Sequence, residues 1–212
     1  MIDSPLDISR FSPAAFFGRA AERLHAQPTT EALAGDHLLN PDLPVDPVTY
    51  LQAAVLIPVV ARLPEASVLL TTRTANLAAH AGQIAFPGGK IERADRGPAA
   101  TALREAREEI GLDPAAVEVA GYLDQYLTRT GFRVTPVIGR VAPGQSLALN
   151  RGEVEDIFEV PLKVLMTPAN HRRVSRVLKG ERRYFYEIEF EGRTIWGVTA
   201  GIIRQLYERM FG

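Results

Sequence analysis

The stretch from Gly88 to Leu112 constrains the fold of this chain most, because it joins a glycine pair to an amphipathic helix through an acidic loop. In its second half, apolar residues recur at three- and four-residue steps, which predicts a helix with one buried face. These residues are Ala99, Ala102, Leu103, Ala106 and Ile110. Gly111 is typical of the position just past a helix C-terminus, so the helix is predicted to end before it.

Three carboxylates share a second face of this helix, since Glu105, Glu108 and Glu109 stand at positions i, i+3 and i+4. Like charges at this spacing oppose helix formation by about 0.2–0.5 kcal/mol, and acidic groups in the last turn meet the negative end of the helix dipole. Arg104 can reach Glu108 one turn further on, which offsets part of the repulsion. A bound Mg²⁺ would make the cluster favourable, because carboxylate oxygens are ligands for hard cations. A solvated charged face is the alternative interpretation of such a cluster alone.

The residues before the helix favour a binding site over a plain charged surface. Pro87 fixes the chain just before Gly88 and Gly89. Two glycines permit a tight turn and a close approach of the backbone to a ligand. We therefore interpret the segment as a helix that holds a divalent metal for cleavage of a phosphoanhydride, with the glycine pair beside the substrate.

The whole segment resembles the Nudix box, whose usual form is G-x5-E-x7-R-E-U-x-E-E-x-G-U, with U an apolar residue. Every specified position of its second half is present from Arg104 onwards. The first half differs, because five residues separate Gly89 from Asp95 and eight then separate Asp95 from Arg104. The loop is therefore one residue longer, and its acid is Asp instead of Glu. Strict counting back from Arg104 reaches Arg96, which leaves Asp95 and Glu92 as candidates for the early acid.

The sequence upstream is similar to the coenzyme A pyrophosphatase branch of this family, which carries LLTxRS, a spacer with an arginine, HxGQ and FPGG. The chain reads LLTTR up to Arg73 and GQIAFPGG up to Gly89. Ala78 stands where the branch has an arginine, a residue suited to a phosphate such as the 3′-phosphate of coenzyme A. Arg73 or another basic residue is the candidate to replace it. His80 lies in the same spacer, and an isolated histidine is more typical of packing or hydrogen bonding than of a substrate contact.

Further segments match the same branch. Residues 131–139 read GFRVTPVIG, and the loop before them places Arg129 and Thr130 where they could contact phosphates. A solvated hairpin loop is the alternative. Glu153 matches the acid of the pattern E-V-x-x-[VI]-F-E-x-P-L. In related enzymes a carboxylate from such a downstream loop completes the metal site or serves as base. The sequence I-W-G-x-T-A around Trp196 is also found in the branch.

The resemblance implies an α/β protein with the Nudix fold, a mixed β-sheet sandwiched between helices. Periodicity alone supports only α/β or α+β. We expect residues 1–48 to form an N-terminal helix and a connector that pack on the domain, and residues 49–212 to form the Nudix hydrolase domain. Local patterns predict strands over residues 53–61, 67–73, 117–123, 132–141 and 184–190, and helices over 158–166 and 197–211. Pro58 predicts an edge strand or a bulge.

The same resemblance implies metal-dependent hydrolysis of the pyrophosphate bond of coenzyme A or its derivatives, which gives 3′,5′-ADP and 4′-phosphopantetheine or its acyl form. The implied cofactor is Mg²⁺ or Mn²⁺, held by Glu105, Glu108 and Glu109. Arg104 would orient Glu105 and hold the glycine loop, and the base would be Glu105 or Glu153. Two other classes remain open. One is a Nudix hydrolase of another nucleoside diphosphate derivative, such as ADP-ribose or a dinucleotide, and the other is a catalytically silent nucleotide-binding module.

Composition excludes several other functions. The 212-residue chain has a formal net charge of −1, so no global positive field argues for a nucleic-acid partner. It has no cysteine, which excludes disulfides, thiol catalysis and thiolate zinc sites. No apolar run approaches the length of a membrane span, and the N-terminal residues are too acidic and polar for a secretory signal. We therefore expect a cytoplasmic enzyme with a small-molecule nucleotide substrate and no membrane association.

An N-terminal helix is predicted where Ser12 stands as the N-cap and Pro13 as the first helical residue. The residues that follow carry an apolar face. We expect this helix either to pack on the domain or to lie at a homodimer contact. Residues 28–47 are rich in proline and polar residues, without a sustained period, which predicts a connector.

Overall fold

The computed structural model describes residues 8–30, 34–42, 49–75, 82–178 and 180–212. Ala78 and His80, on which two of the sequence interpretations fall, lie outside these residues. The α-helices are α1 (Pro13–Arg23), α2 (Asp36–Leu39), α3 (Pro98–Ile110), α4 (Leu162–Leu165) and α5 (Gly197–Phe211). The first strands are β1 (Ala34–Gly35), β2 (Leu51–Val60), β3 (Ser67–Arg73), β4 (Ile84–Ala85), β5 (Gly88–Lys90) and β6 (Val117–Tyr122). The later strands are β7 (Tyr126–Leu127), β8 (Phe132–Val141), β9 (Val154–Pro161), β10 (Arg172–Leu178), β11 (Glu181–Phe190) and β12 (Arg193–Trp196).

The larger sheet is built around β2, which pairs in parallel with β8 along its whole length. On its other side β2 pairs in antiparallel fashion first with β5 and then with β3. The expectation of an edge strand at Pro58 is therefore wrong, and the pairing with β8 shows no bulge there. Pro58 lies where β2 passes from β5 to β3, and neither strand offers a paired residue at this point. The missing amide hydrogen of proline is tolerated for this reason.

Alternate residues of β2 face opposite sides of the sheet, as the two-residue period of a strand requires. Ala53, Ile57 and Val59 belong to a core that also contains apolar side chains of α1 and α5. Ala54, Leu56 and Val60 belong to a second core that contains the apolar face of α3. Helices thus cover both faces of a mixed sheet, which confirms the predicted α/β fold class.

The N-terminal helix begins where the sequence predicts it. The Ser12 hydroxyl accepts a hydrogen bond from the Ala15 amide at 3.3 Å, and Pro13 is the first helical residue. Phe16 and Ala20 are fully buried in the core shared with α5. The connector after α1 contributes structure of its own, since β1 pairs in parallel with β7 and leads directly into α2.

The chain after β8 differs in part from the prediction. A helix was expected over residues 158–166, but β9 continues to Pro161 because Phe158 pairs with Leu70 of β3. Only α4 remains helical there. Strand β10 escapes the sequence analysis, and it forms a three-stranded antiparallel sheet with β11 and β12. Of the helices in the described part of the chain, none combines the length and apolarity that crossing a bilayer requires.

Candidate active site

Several strand ends meet helix α3 at one end of the larger sheet. Strand β2 begins there, and its residues 53–55 pair with the glycine-containing strand β5. Strand β3 ends there at Arg73, which pairs with Val154 at the start of β9. The topology therefore brings Arg73, the glycine pair and Glu153 to the end of the sheet at which the α3 carboxylates lie.

The two glycines allow this close assembly. A Cβ atom on Gly88 would lie 2.5 Å from the carbonyl oxygen of Ala54 and 2.7 Å from the Cα atom of Val55. A Cβ atom on Gly89 would lie 2.5 Å from the carboxyl carbon of Glu105. All three distances are shorter than van der Waals contact. Only glycine therefore lets β5 lie against β2 while Glu105 packs on its backbone.

The acid that contacts Arg104 is Asp95. The Nε and Nη2 atoms of Arg104 donate to the two oxygens of Asp95, at 3.1 Å and 3.0 Å. The Thr101 hydroxyl and the Glu92 amide also donate to this carboxylate, at 2.8 Å and 2.9 Å. The hydrogen bonds from Arg104 hold the pKa of Asp95 well below its usual range. The carboxylate of Glu92 is 65% exposed and lies 3.9 Å from Arg104, so Glu92 acts on this network through its backbone.

Arg104 also links the glycine strand to the helix. Its Nη2 atom donates to the carbonyl oxygen of Lys90 at 3.2 Å, and its Nη1 atom donates to Glu105 at 2.9 Å and Glu108 at 3.0 Å. These are the contacts that the predicted orienting role of Arg104 requires. Burial raises the pKa of Glu105, while the charge of Arg104 opposes this rise. Glu105 is thus a partly desolvated carboxylate whose position is fixed by a guanidinium group.

Glu109 is the most deeply buried of the helix carboxylates, with 2% of its surface exposed. It accepts hydrogen bonds from the Nη1 atom of Arg73 and from the amide of Gly88, both at 3.3 Å. Burial raises its pKa to about 7, although Arg73 and the Gly88 amide lower it. The charges of Glu105 and Glu153 raise it further. Arg73, predicted to contact substrate, is placed by the structure on this carboxylate.

Glu153 lies near Glu105 and Glu109. Its carboxylate accepts a hydrogen bond from the side-chain amide of Asn150 at 3.2 Å, and its charge raises the pKa of both Glu105 and Glu109. Glu108 differs, since its side chain is 55% exposed and turns toward Arg104. The neighbouring Asp156 is paired with Arg193 at 3.1 Å, outside this group.

The donors fit a divalent cation by their chemistry. They are hard carboxylate oxygens, and their mutual repulsion and desolvation would both be relieved by a positive ion. In the described ranges, no three acidic or histidine side chains already surround one point as a metal cage. Arg104 occupies the Oε1 atom of Glu105, which leaves Oε2 as a possible cation ligand, whereas Arg73 and the Gly88 amide occupy the two oxygens of Glu109, so a cation would compete with them there.

The loop that carries Arg129 and Thr130 lies between β7 and β8. The Arg129 amide donates to the Asp36 carboxylate at 3.0 Å, and the Arg129 guanidinium lies 3.8 Å from Glu181. The Thr130 hydroxyl is hydrogen-bonded to that of Thr128 at 2.9 Å. The loop is therefore an ordered part of the protein, anchored to α2 and β11. Asp36 escaped the sequence analysis, because it lies in an aperiodic connector and no motif marks it.

Comparisons with known proteins agree with this geometry. The NUDIX domain family matches residues 51–179. An uncharacterized Nudix hydrolase, NudL, of Shigella flexneri serotype 5b (strain 8401) is 41% identical over 169 residues, which cover 80% of this chain and 88% of that protein. NudL of Escherichia coli (strain K12) is 40% identical with the same coverage. Among solved structures, DR0079 from Deinococcus radiodurans has a TM-score of 0.50 at 13% identity, and covers 78% of this chain and 90% of its own. The last similarity concerns the fold alone.

Proposed function

Since this chain belongs to the Nudix hydrolase family, we propose that it hydrolyses the pyrophosphate bond of coenzyme A or its derivatives, with Mg²⁺ or Mn²⁺ as cofactor. The products are 3′,5′-ADP and 4′-phosphopantetheine or its acyl form. One observation carries the proposal: the half-buried Glu105 and the buried Glu109 lie against the glycine pair, and Arg104 and Arg73 fix their positions. The likeness of residues 82–89 and 131–139 to the coenzyme A branch supports this substrate.

The metal ligands in this proposal are Glu105, Glu108 and Glu109. Glu153 lies close enough to raise the pKa of the first and third. A divalent cation, when bound here, neutralises the negative charge that develops on the phosphate oxygens and makes a water molecule more acidic.

The protein's own residues then have distinct roles. Water attacks one phosphorus atom of the diphosphate, the bond from that phosphorus to the bridging oxygen breaks, and the bridging oxygen leaves with the other phosphate. Glu105 or Glu153 takes the proton of the attacking water. Arg104 orients Glu105 and, through the carbonyl of Lys90, fixes the glycine strand. Because Gly88 and Gly89 carry no side chains of their own, the carboxylates of Glu105 and Glu109 can lie directly against their backbone.

The contact between Arg73 and Glu109 supports a second candidate substrate. The coenzyme A branch carries an arginine at the position of Ala78, and Arg73 is the candidate to take over its role. The Arg73 guanidinium, however, is hydrogen-bonded to Glu109. A basic side chain other than Arg73 must therefore bind the 3′-phosphate of coenzyme A. ADP-ribose or a dinucleotide, which need no such cation, is for this reason the second candidate substrate. A catalytically silent module is disfavoured, because the sequence contains every carboxylate of the helix motif.

The test is product analysis of the purified protein with coenzyme A and Mg²⁺ or Mn²⁺, beside ADP-ribose and NADH. Metal-dependent release of 3′,5′-ADP from coenzyme A, lost in Glu109→Gln, is the expected result. Turnover of ADP-ribose or NADH alone would leave the catalytic helix assigned and refute the coenzyme A assignment. No turnover of any of the three would contradict the proposed hydrolysis.

A further inference from the structure

Helix α2, which lies upstream of the family match, fastens the β7–β8 loop in place. The Asp36 carboxylate accepts a hydrogen bond from the Arg129 amide at 3.0 Å and another from the Tyr126 hydroxyl at 2.8 Å. Asn40, which is 5% exposed, exchanges two hydrogen bonds with the backbone of Tyr184 in β11, at 2.8 Å and 3.0 Å. The α2 segment thus holds the loop and the start of β11 together.

This anchoring brings two guanidinium groups to one carboxylate. The Glu181 carboxylate lies 3.1 Å from the Nη2 atom of Arg183 and 3.8 Å from that of Arg129. The arginine side chains are 25% and 18% exposed, whereas Glu181 is 44% exposed. An anionic oxygen therefore fits between the two arginines. In this structure it is an oxygen of Glu181, whose exposed side chain can move into solvent.

The surrounding hairpin is strongly basic. Over residues 172–190, the hairpin carries six Lys or Arg against three Glu, in a chain whose formal net charge is −1. Such a local excess of positive charge concentrates anions at this surface. The position of Arg129 and Arg183 at one end of this hairpin favours a negatively charged ligand over a neutral one.

The Arg129 loop lies close to the glycine strand. The Leu51 amide donates to the carbonyl of Gly131 at 2.9 Å, and Ala53 is paired with Lys90 of β5. Leu51 and Ala53 are two residues, or about 7 Å, apart along β2, and β8 and β5 flank β2 at about 4.8 Å on opposite sides, so Gly131 and Lys90 are separated by on the order of 12 Å. A nucleotide whose diphosphate lies at the glycine pair can therefore extend to the Arg129 loop.

We propose that Arg129 and Arg183 form a second anion subsite, which binds a phosphomonoester on the nucleotide part of the substrate, away from the bond that is cleaved. This inference rests on the proposed function and specifies its substrate class. On binding, the phosphate replaces the Glu181 carboxylate between the guanidinium groups, whose planar donors suit phosphate oxygens. Asp36 and Asn40 are positioning residues, because they act through the Arg129 loop and through β11.

The test measures binding by calorimetry with Mg²⁺ present, and compares 3′,5′-ADP with AMP, which lacks the 3′-phosphate. The wild-type protein is expected to bind 3′,5′-ADP about ten-fold or more tightly than AMP, the size of a charged hydrogen bond. Arg183→Gln and Arg129→Gln should abolish this difference. Arg182→Gln is the matched control, since Arg182 lies on the same hairpin, is exposed and contacts Ser175; it should keep the difference.

Three results would overturn the subsite: equal affinity of the wild type for both ligands, an equal loss in Arg182→Gln, or inorganic phosphate competing as strongly as 3′,5′-ADP. Glu181→Gln guards against a purely structural explanation, because removal of the competing carboxylate should preserve or strengthen the binding of 3′,5′-ADP. If Glu181→Gln weakens binding as much as Arg183→Gln, then Arg129, Glu181 and Arg183 stabilise the fold and do not bind the phosphate. Turnover of coenzyme A and dephospho-coenzyme A is followed separately, so that a failed hydrolysis is not confused with a failed subsite.

Discussion

The guanidinium of Arg104 holds the carboxylate of Asp95 with two hydrogen bonds, 3.1 Å and 3.0 Å long, and thereby closes the loop of residues 90–97 onto α3. The usual motif has a glutamate in a loop that is one residue shorter. This chain has an aspartate in a loop that is one residue longer, and both oxygens of Asp95 accept hydrogen bonds from Arg104.

Replacement of Asp95 by asparagine should impair both stability and catalysis. The variant loses the charge that fixes Arg104, and charged hydrogen bonds contribute about 1.5–3 kcal/mol each. Because Arg104 in turn orients Glu105, we expect kcat/KM to fall about ten-fold or more, together with a lower Tm. Glu92→Gln is the control, since the Glu92 carboxylate is largely exposed and only its amide reaches Asp95. A larger loss in Glu92→Gln than in Asp95→Asn would show that the early acid is misassigned.

The two glycines should respond differently to a methyl group. In Gly88→Ala the new Cβ meets backbone atoms of β2, which cannot move aside, so we expect a loss of about 1–3 kcal/mol in the free energy of unfolding. In Gly89→Ala the new Cβ meets the Glu105 side chain, which can rotate away. That variant should retain most of its stability and lose most of its activity.

Gly18→Ala is the matched control for these two variants. Gly18 lies inside α1, and a Cβ there meets no atom within 4 Å beyond the helix's own backbone. We expect Gly18→Ala to stabilise the protein by about 0.5–1 kcal/mol, because alanine restricts the unfolded chain and favours helix. Denaturant unfolding and steady-state kinetics of the three variants separate these outcomes. Normal activity in Gly89→Ala would contradict the placement of Glu105.

Glu109 should make the metal-free protein less stable as pH rises. Its pKa is about 7 in the folded protein, above the ordinary value of 4.5, so the folded state binds a proton that the unfolded chain has released. This contribution to stability is fully present below about pH 4.5 and is lost as pH rises to about 7. Glu109→Gln removes the penalty, so in EDTA at pH 8 the variant should be more stable than the wild type by about 1–3 kcal/mol. At pH 4.5 the two should be similar.

Thermal unfolding at several pH values measures this effect, with Glu108→Gln as the control because its side chain is 55% exposed. Added Mg²⁺ or Mn²⁺ should raise the Tm of the wild type more at pH 8 than at pH 6, since the ion must displace the Glu109 proton. The same ions should have a much smaller effect on Glu109→Gln. A metal-free Glu109→Gln protein that is less stable than the wild type at pH 8 would be evidence against the desolvated carboxylate.

The carboxylate-bearing helix α3 could be predicted from sequence, because the pattern that defines it is local. Glu105, Glu108 and Glu109 share a face through the helical period alone. The choice between Asp95 and Glu92 could not be made, because it depends on the path of an aperiodic loop. Asp36 could not be found, since its partner Arg129 lies 93 residues away.

Strand β10 could not be predicted for a similar reason. Strand β10 reads RRVSRVL, in which polar residues dominate, and the alternation of a half-buried strand is weak. Glu187 of β11 is 7% exposed and accepts hydrogen bonds from both Arg172 and Arg176. The strand is thus held by cross-strand ion pairs as well as apolar packing, and a pattern of apolar positions does not detect such pairs.

The hydrogen bonds of the two candidate bases distinguish them. Glu105 is held by the Arg104 guanidinium and belongs to the proposed set of metal ligands, whereas Glu153 lies outside that set and is held by the neutral side-chain amide of Asn150. We therefore predict that Glu153 takes the proton of the attacking water. Glu153→Gln should lower kcat by about 100-fold or more, as expected for a lost general base, while the affinity for Mg²⁺ changes little. Glu105→Gln should lower both kcat and metal affinity.

The Mg²⁺ concentration that gives half-maximal activity provides the second readout for this assignment. It should stay unchanged in Glu153→Gln and rise in Glu105→Gln, because only Glu105 is a proposed metal ligand. Glu155→Gln is the control, since Glu155 is two residues away and its side chain is exposed. If Glu153→Gln keeps kcat within about three-fold of the wild type while Glu105→Gln still binds Mg²⁺ normally, the base is Glu105 and Glu153 only tunes the charge of its neighbours.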